Sequence, residues 1–285
     1  MKLELYAHGK INLGLDVIGE RPDGYHEVKM IMQTVEVCDR LEFEDIDEDE
    51  IQLKSDAAFL PLDGDNLICK ACRLMKDEYD IKKGVRISLE KHIPVAAGMA
   101  GGSADAAAAL VAMNEIFALG LSRDRLMELG VKLGADVPYC IMKGTALSEG
   151  IGEKLTELAP MPDCYILIAK PGISVSTKEA YGGLVLDEHT LHPDIDGMVE
   201  AIKAGDLRGV AFITRDACFM DHKSEEISME IHDFVLTRHN RLEGRVIRCS
   251  DDEGSYIVGC QMPEDDFFIR DYVSERLKRE KNQRK

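Results

Sequence analysis

The feature that most constrains this chain is a glycine-rich stretch that joins a strand pattern to an alanine-rich helix pattern. The segment GVRISLEKHIPV alternates apolar and polar residues, with Val85, Ile87 and Leu89 on one face, which predicts a half-buried strand. The stretch PVAAGMAGGSADAAAAL follows it directly and leads into a long helix. Such a junction is either a phosphate cradle, in which backbone N–H groups at a helix N-terminus bind an anion, or a packed turn that requires small residues.

The elements around this junction predict an α+β fold over about the first 150 residues, rather than a βαβ repeat or an all-β fold. Three β-rich segments come first: KLELYAHGKINLGLDVIG, KMIMQTVEV and RLEFEDI. A helix is predicted over residues 65–79, and a later one starts with Ser122 as N-cap and ends at Gly134. The acidic residues 43–50 are predicted to form a solvated loop at a strand end.

Charge and composition exclude several classes of function. A net charge of −18 is the opposite of the basic surface that nucleic-acid binding needs, although a pocket for an anionic small molecule can be locally positive. No apolar run reaches the ~18–20 residues of a membrane span, and the first residues lack the pattern of a signal peptide, so we expect a cytoplasmic protein. The eight cysteines are therefore expected to be reduced, with Cys69 and Cys72 packing in a helix rather than binding a metal.

Several segments together resemble one enzyme family. The stretch PVAAGMAGGSADAA resembles the phosphate-binding motif of the superfamily of galactokinase, homoserine kinase, mevalonate kinase and phosphomevalonate kinase. One family of this superfamily, the 4-diphosphocytidyl-2-C-methyl-D-erythritol kinases, is similar to this chain in four further segments. These are AHGKINLGLDVIGERPDGYHEV, MQTVEVCDRLEF, LGADVPYCIMKGTALSEGIGE and LIAKPGISVSTKEAY. The resemblance runs in order over residues 1–211, and it implies a two-lobed small-molecule kinase.

The resemblance implies an ATP-dependent transfer of a phosphoryl group to a hydroxyl of 4-diphosphocytidyl-2-C-methyl-D-erythritol, in the non-mevalonate route to isoprenoid precursors. Lys10 and Asp136 match the catalytic pair of the family. An aspartate can accept the hydroxyl proton, and a nearby lysine favours the ionised carboxylate and steadies the developing charge. ATP chemistry implies Mg²⁺, for which the sequence identifies no protein ligand. The implied partner is a small cytidine diphosphate compound, and the protein is expected to be a monomer or a homodimer.

The family resemblance also places the binding residues for both ligands. Tyr25 and His26 match positions at the cytidine end of the substrate, and Asn12 matches a substrate contact. Tyr181 is either an aromatic side chain near the base or a core residue. The residues assigned to the triphosphate are Pro94, Val95, Ala96, Ala97, Gly98, Met99, Ala100, Gly101, Gly102, Ser103 and Ala104. Asn66 and Lys70 either border the ATP site or serve as a helix cap and a surface charge.

The last quarter of the chain departs from the family. The superfamily's third glycine-rich motif, G-x-x-x-S-G-S-G, is not found after Ala211. The tail instead resembles the end of a PilZ domain, with a β-hairpin that turns at residues 251–254, followed by a helix. We therefore predict an ATP-binding domain over 1–155, the start of a substrate domain over 156–211 and an atypical, PilZ-like fragment over 212–285.

Two explanations of this tail remain open at the level of sequence. The chain is either a composite of kinase and unrelated coding sequence, or a kinase with a rebuilt C-terminal lobe. The alternative function is a catalytically impaired protein that binds or senses a nucleotide. The missing third glycine motif favours this alternative, whereas Lys10, Asp136 and the glycine-rich stretch favour the enzyme.

Overall fold

The computed structural model describes residues 1–57, 60–162 and 192–206, six isolated residues (164, 166, 168, 184, 186 and 190), and the strands 226–230, 241–252 and 255–261. The chain divides into two compact units, Met1–Arg215 and Asp216–Lys285. The first contains a six-stranded mixed sheet with helices, and the second contains a three-stranded sheet. The predicted α+β class is confirmed, and the three-part domain division stays a prediction.

The described strands and helices follow one another in a mixed order. In the first unit they are β1 (Lys2–Glu20), β2 (His26–Ile46), β3 (Ile51–Ser55), α1 (Leu67–Glu78), β4 (Gly84–Glu90), α2 (Gly101–Ile116), α3 (Arg123–Val131), α4 (Val137–Met142), β5 (Thr145–Gly150), β6 (Lys154–Glu157) and α5 (Ile195–Ala204). In the second unit they are β7 (Glu226–Glu230), β8 (Arg241–Asp252) and β9 (Ser255–Gln261). No helix among the described residues is both long enough and apolar enough to span a membrane.

Strand β2 is the spine of the larger sheet. Antiparallel β1 pairs with it along most of its length, and the opposite edge is shared by two strands. There, β5 pairs with the stretch from Val28 to Gln33, and β4 pairs with the stretch from Arg40 to Ile46. Residues 34–39 lie between these two pairings and have neither β4 nor β5 beside them. The candidate site is built at this gap in the sheet.

The core lies between this sheet and the helices. The alternation predicted for β4 is confirmed, because Val85, Ile87 and Leu89 are fully buried. Helix α2 is buried over most of its length and packs against α1, β1 and α4. Its many alanines suit this place, since small side chains let neighbouring elements approach closely and a helix that is apolar all round belongs in a core. The expectation that Cys69 and Cys72 pack in a helix is also confirmed, because both are buried on α1.

Three boundaries differ from the prediction. The two strands predicted over KMIMQTVEV and RLEFEDI are one strand, β2, which stays continuous because β1 pairs along both halves. The acidic residues 43–50 are not all loop, since Phe43 and Ile46 are buried in β2 and only residues 47–50 are exposed. Helix α3 starts after Ser122 as predicted but ends at Val131 instead of Gly134.

The second unit is an antiparallel meander in the order β7-β8-β9. Strands β8 and β9 pair as far as Asp252 and Ser255, which confirms the two predicted strands, with Asp251 and Asp252 in β8 instead of in the turn. The rest of the predicted turn, residues 253–254, lies outside the described residues. The helix predicted after residue 263 lies outside the described residues. The resemblance of this tail to a PilZ domain stays a prediction.

Candidate active site

The glycine-rich loop between β4 and α2 is held in an unusual backbone conformation. Ala96, Gly98 and Ala100 have positive φ angles of 53°, 67° and 55°. A left-handed conformation costs an alanine about 1–2 kcal/mol, so other contacts must hold the loop in place. One of these contacts is a backbone hydrogen bond of 3.1 Å, donated by the N–H of Lys10 in β1 to the carbonyl of Met99.

The start of α2 leaves its backbone donors available. The N-cap residue is Ala100, which has no side chain that could accept a hydrogen bond. The first helical bond runs from the N–H of Ala104 to the carbonyl of Ala100, at 2.8 Å. Among the described residues, the N–H groups of Gly101, Gly102 and Ser103 have no backbone acceptor. Free N–H groups at the positive end of a helix dipole form a binding site for an anion.

The start of α1 lies beside the start of α2 but is closed. A Cβ atom at Gly102 would lie 3.5 Å from Leu67 Cδ1, so the two helix starts are adjacent. Asn66 Oδ1 accepts a hydrogen bond from the N–H of Ile68 at 2.9 Å, and its Nδ2 donates to the carbonyl of Pro61 at 2.8 Å. The capping role is therefore present in the structure, and the ATP-contact role of Asn66 stays a prediction.

Lys70 lies on the exposed side of α1. Its Nζ pairs with Asp65 across 3.8 Å, the geometry of a surface ion pair that contributes little to stability. The surface-charge alternative describes what this side chain does in the structure. Its place at the ATP site stays a prediction.

Lys10 reaches the loop from a bulge in β1. The pairing of β1 with β2 shifts register between His8 and Lys10, where Gly9 lies. A Cβ atom at Gly9 would meet the carbonyl oxygens of Met99 and Val37 at 3.4 Å, so glycine lets the loop approach β1 closely. Lys10 itself is buried, and its Nζ donates to Asn12 Oδ1 at 3.1 Å. The structure therefore brings Lys10 and Asn12 together next to the loop.

Asp136 lies at the N-cap position of α4 without acting as a cap. Its side chain accepts no capping hydrogen bond, and this carboxylate makes no hydrogen bond or ion pair with any other described residue. The turn before it packs on α2, since a Cβ atom at Gly134 would lie 3.9 Å from Ser103 Oγ. Asp136 is half-buried, its carboxylate has no partner among the residues that the structure describes, and it follows closely on a turn that packs on the start of α2.

A buried thiol reports the electrostatic surroundings of both predicted catalytic residues. Burial raises the pKa of the Cys140 thiol on α4, the charge of Asp136 raises it further, and the charge of Lys10 lowers it. Both charges thus act on one point in α4. The structure gathers Lys10, Asp136 and the glycine-rich loop around the same end of α2 and α4.

Sequence reasoning missed the residues that fasten α4 to the gap in the sheet. The buried Tyr139 donates from its hydroxyl to the carbonyl of Gly144 at 2.7 Å and shares a 3.0 Å hydrogen bond with Thr34 Oγ1. Thr34 Oγ1 also accepts from the N–H of Gly144 at 3.0 Å. Pro138 in the first turn is a sequence signal that could have revealed α4, because proline is favoured at that position.

The residues predicted for the cytidine end lie at the turn of the β1–β2 hairpin, whereas Lys10 lies in the middle of β1. Tyr25 is exposed in the turn, and its N–H donates to Asp23 Oδ1 at 3.2 Å. His26 is half-buried and pairs with Glu20 across the hairpin. Tyr181 lies outside the described residues.

Comparison with known proteins identifies the family. A model of the GHMP kinases N terminal domain matches residues 66–144. The chain is 58% identical over 205 residues to 4-diphosphocytidyl-2-C-methyl-D-erythritol kinase of Lachnoclostridium phytofermentans, covering 72% of this chain and 70% of that one. It is 51% identical over 210 residues to the enzyme of the same name from Bacillus cytotoxicus, covering 74% and 72%.

Solved structures agree with these relatives. The crystal structure of a 4-(cytidine 5'-diphospho)-2C-methyl-D-erythritol kinase matches with a TM-score of 0.59 at 31% identity, over 72% of each chain. Homoserine kinase from Cytophaga hutchinsonii matches with a TM-score of 0.56 at 17% identity, over 75% of this chain and 71% of that one, which supports the fold alone. The resemblance inferred from the sequence is confirmed, and the chain belongs to the 4-diphosphocytidyl-2-C-methyl-D-erythritol kinase family.

Proposed function

We infer that this protein is an ATP-dependent kinase that phosphorylates a hydroxyl group of 4-diphosphocytidyl-2-C-methyl-D-erythritol in the non-mevalonate synthesis of isoprenoid precursors. One observation carries this inference beyond family membership. In the described part of the chain, the Asp136 carboxylate makes no hydrogen bond or ion pair, and it lies with the buried Lys10 next to a helix start whose first N–H groups have no backbone acceptor. An anion site, a base and a cation are the parts that phosphoryl transfer requires.

The glycine-rich loop is the proposed site for the triphosphate. The N–H groups of Gly101, Gly102 and Ser103 would donate to phosphate oxygens, and the dipole of α2 would favour the negative charge. Residues 94–100 would wrap the phosphates, because the left-handed Ala96, Gly98 and Ala100 turn the backbone repeatedly. Asn66 and Lys70 are proposed to border this site from α1, with the Asn66 side chain bonded to its own helix and to Pro61 rather than to the nucleotide.

Lys10 and Asp136 would carry the transfer itself. The substrate hydroxyl loses its proton to the Asp136 carboxylate as its oxygen forms a bond to the γ-phosphorus of ATP. The bond between that phosphorus and the β–γ bridging oxygen breaks, and ADP leaves. The Lys10 ammonium stabilises the negative charge on the transferred group. Asn12, which holds Lys10 Nζ, is proposed to contact the substrate near the reacting hydroxyl.

The oxygen ligands present fit a magnesium ion that is held mainly by the nucleotide. No group of three acidic, histidine or cysteine side chains that could hold a metal occurs among the described residues. Mg²⁺ commonly binds through one or two protein oxygens together with substrate phosphates and water. The Ser103 hydroxyl, beside the turn that precedes Asp136, is the protein oxygen proposed to reach it. The ion would neutralise charge on the β- and γ-phosphates.

The cytidine end of the substrate is assigned to the hairpin end. Tyr25 would stack on the pyrimidine, and His26 would bond to the base edge, with Tyr181 as a further aromatic contact. Arg21 holds the turn that carries Tyr25 through two contacts. Its guanidinium donates to the Asp23 carboxylate, and its backbone N–H donates to the carbonyl of Tyr25 at 2.7 Å. We further propose that the enzyme acts in the cytoplasm as a monomer or homodimer.

The named relatives favour this kinase over the alternative of an impaired nucleotide-binding protein. The test uses the full chain, with ATP, Mg²⁺ and 4-diphosphocytidyl-2-C-methyl-D-erythritol, and measures substrate-dependent release of ADP. Asp136→Ala should lower kcat by about 10²–10⁴-fold, the usual contribution of a general base. Asp136→Asn is the matched control, since it keeps the shape and loses the base, and it should be equally inactive. Binding of ATP without any substrate-dependent turnover by the intact chain would overturn the kinase and favour the alternative.

A further inference from the structure

Three charged side chains are buried together directly beneath the glycine-rich loop. Lys91 follows β4, Asp39 lies in β2, and Asp105 lies near the start of α2. Their side chains are 6%, 0% and 5% exposed. Lys91 Nζ donates to Asp105 Oδ2 at 2.7 Å and also to Asp39 Oδ2. We call Asp39, Lys91 and Asp105 the buried ion cluster.

The cluster fastens the segment where the loop begins. Asp39 Oδ1 accepts hydrogen bonds from the N–H of His92 at 2.6 Å and from the N–H of Ile93 at 2.8 Å. These bonds tie the exit of β4 to β2, at the last residue of the stretch that has neither β4 nor β5 beside it. The loop that follows therefore starts from a fixed point.

The same cluster fastens the segment where the loop ends. Asp105 belongs to α2 itself, so its bond to Lys91 ties the first turns of that helix to the exit of β4. A Cβ atom at Gly101 would lie 3.0 Å from Lys91 Nζ and 3.0 Å from Ile93 Cγ2. The backbone at Gly101 therefore packs closely against the cluster, and a side chain there would have to displace Lys91 Nζ or Ile93. One set of ion pairs thus closes both ends of the loop onto β2.

The cluster is poorly suited to bind phosphate directly. Its formal charge is −1 when both carboxylates are ionised, and both contacts of Lys91 go to carboxylates. Stability alone is also a weak reason for it, because burying charges costs free energy that well-packed apolar residues would not cost. Asp105 Oδ1 is buried and has no hydrogen-bond partner in the described part of the chain, which adds to that cost.

We propose that Asp39, Lys91 and Asp105 are positioning residues for ATP, which hold the loop and the first turn of α2 in the conformation that presents the N–H groups of Gly101, Gly102 and Ser103 to the triphosphate. The proposal rests on the ATP-dependent function inferred above. It deepens that function by assigning the alignment of the triphosphate site to charges that touch no substrate.

The test replaces the charges and keeps the shape. In the triple variant Asp39→Asn, Lys91→Met and Asp105→Asn, the amide oxygen introduced at position 39 can still accept the two backbone bonds, and no charge is left buried. We expect a folded protein whose KM for ATP rises about tenfold or more, because small displacements of binding groups are costly. The KM for the cytidine diphosphate substrate and kcat should each change by less than about threefold. The control is Lys82→Met, an exposed lysine paired with Asp80, which should change none of these values.

Binding of Mg²⁺–ATP, measured calorimetrically without the second substrate, separates this proposal from the kinase function. If the intact chain binds ATP without turnover, the kinase function fails, and a weaker Kd in the triple variant still supports the cluster. If the folded variant keeps both the Kd and the KM for ATP, the cluster does not position the site and the proposal is overturned. An intact chain that binds no ATP overturns both. Should the triple variant fail to fold, Asp105→Asn alone should raise the Kd about threefold, and an unchanged Kd overturns the proposal.

Discussion

The starts of α1 and α2 lie side by side and use their backbone donors in opposite ways. At α1, the Asn66 side chain occupies one of the free N–H groups, so the helix end is satisfied by the protein itself. At α2, the left-handed Ala100 offers no side-chain acceptor, and the N–H groups that follow have no backbone acceptor in the described part of the chain. Under the proposed function, the side-chain cap stabilises α1, whereas the uncapped start of α2 keeps the same kind of donors available for the triphosphate.

The other described helices extend this comparison. Helices α3 and α5 are capped by the side chains of Ser122 and Asp194. Helix α4, like α2, has no side-chain cap, although an aspartate stands at its N-cap position. The two uncapped starts in the described part of the chain belong to the segments that carry the proposed triphosphate loop and Asp136. Departures from local rules of this kind are expected at functional sites.

The largest effect that this comparison of helix starts predicts comes from placing a negative charge at the open start of α2. Gly102 is exposed, and a Cβ atom there meets only Leu67 Cδ1 at 3.5 Å, an ordinary contact. Gly102→Asp should therefore fold, and the interaction of the new carboxylate with the helix dipole should even stabilise the first turn. Its repulsion of the triphosphate should raise the KM for ATP about 100-fold.

The matched control for this variant is Gly102→Asn, which has nearly the same shape and no charge. Its KM for ATP should rise less than about tenfold, because only steric crowding remains. Equal effects of the aspartate and the asparagine on the KM for ATP would mean that the triphosphate does not approach the start of α2. The contrast between the two helix starts would then have no functional meaning.

A second prediction compares the two helix starts by their response to pH. The start of α1 is held by the neutral side chain of Asn66, whereas the start of α2 is held by Asp105, which can ionise. The pKa of Asp105 is raised to about 7. Burial is the largest cause and the charge of Asp39 adds to it, whereas the charge of Lys91 lowers the pKa. The folded state therefore keeps a proton on Asp105 that the unfolded state releases near its ordinary value. The stability contributed by this group is fully present below about pH 4, and it is lost as the pH rises toward about 7.

The measurement compares thermal unfolding of the parent and of Asp105→Asn between pH 4 and pH 7.5. The variant lacks this titration, so its stability relative to the parent should improve with rising pH, by about 1–3 kcal/mol across the range. The groups that face Asp105 are Asp39 and Lys91, with the Cys140 thiol of α4 nearby, and they are present in both proteins. The control for the loss of one carboxylate is Asp77→Asn, on the exposed side of α1. A constant difference between Asp105→Asn and the parent would contradict the titration.

Local patterns in the sequence were sufficient to predict the strand and the helix on either side of the glycine-rich loop. The strand with Val85, Ile87 and Leu89 buried, the long helix after it and the N-cap at Ser122 were all predicted, because periodicity and capping involve residues close together in the chain. Lys10 and Asp136 were found through family resemblance. Taken alone, Lys10 looks like a surface lysine and Asp136 like a turn residue.

Features that depend on distant residues were missed. The continuity of β2 is set by its pairing with β1, which brings together residues as far apart as Lys2 and Glu44. The buried ion cluster joins Asp39 to Lys91 across 52 positions, and in the sequence each of its members looks like an ordinary surface charge. Burial and partnership decide what such a residue does, and neither is visible in a local pattern.

The smallest effect expected is at the closed start of α1, where the comparison predicts a loss of stability without a loss of ATP binding. Asn66→Ala removes the acceptor for the N–H of Ile68 and should lower the free energy of unfolding by about 1 kcal/mol, the usual value of an N-cap. The KM for ATP should rise less than about threefold, since the side chain is engaged with its own helix and with Pro61. Asn66→Asp is the control, because it keeps the capping acceptor and loses only the bond to Pro61, so it should lose less stability than Asn66→Ala. A rise of tenfold or more in the KM for ATP at unchanged stability would show that Asn66 contacts the nucleotide, and that α1 shares the open character of α2.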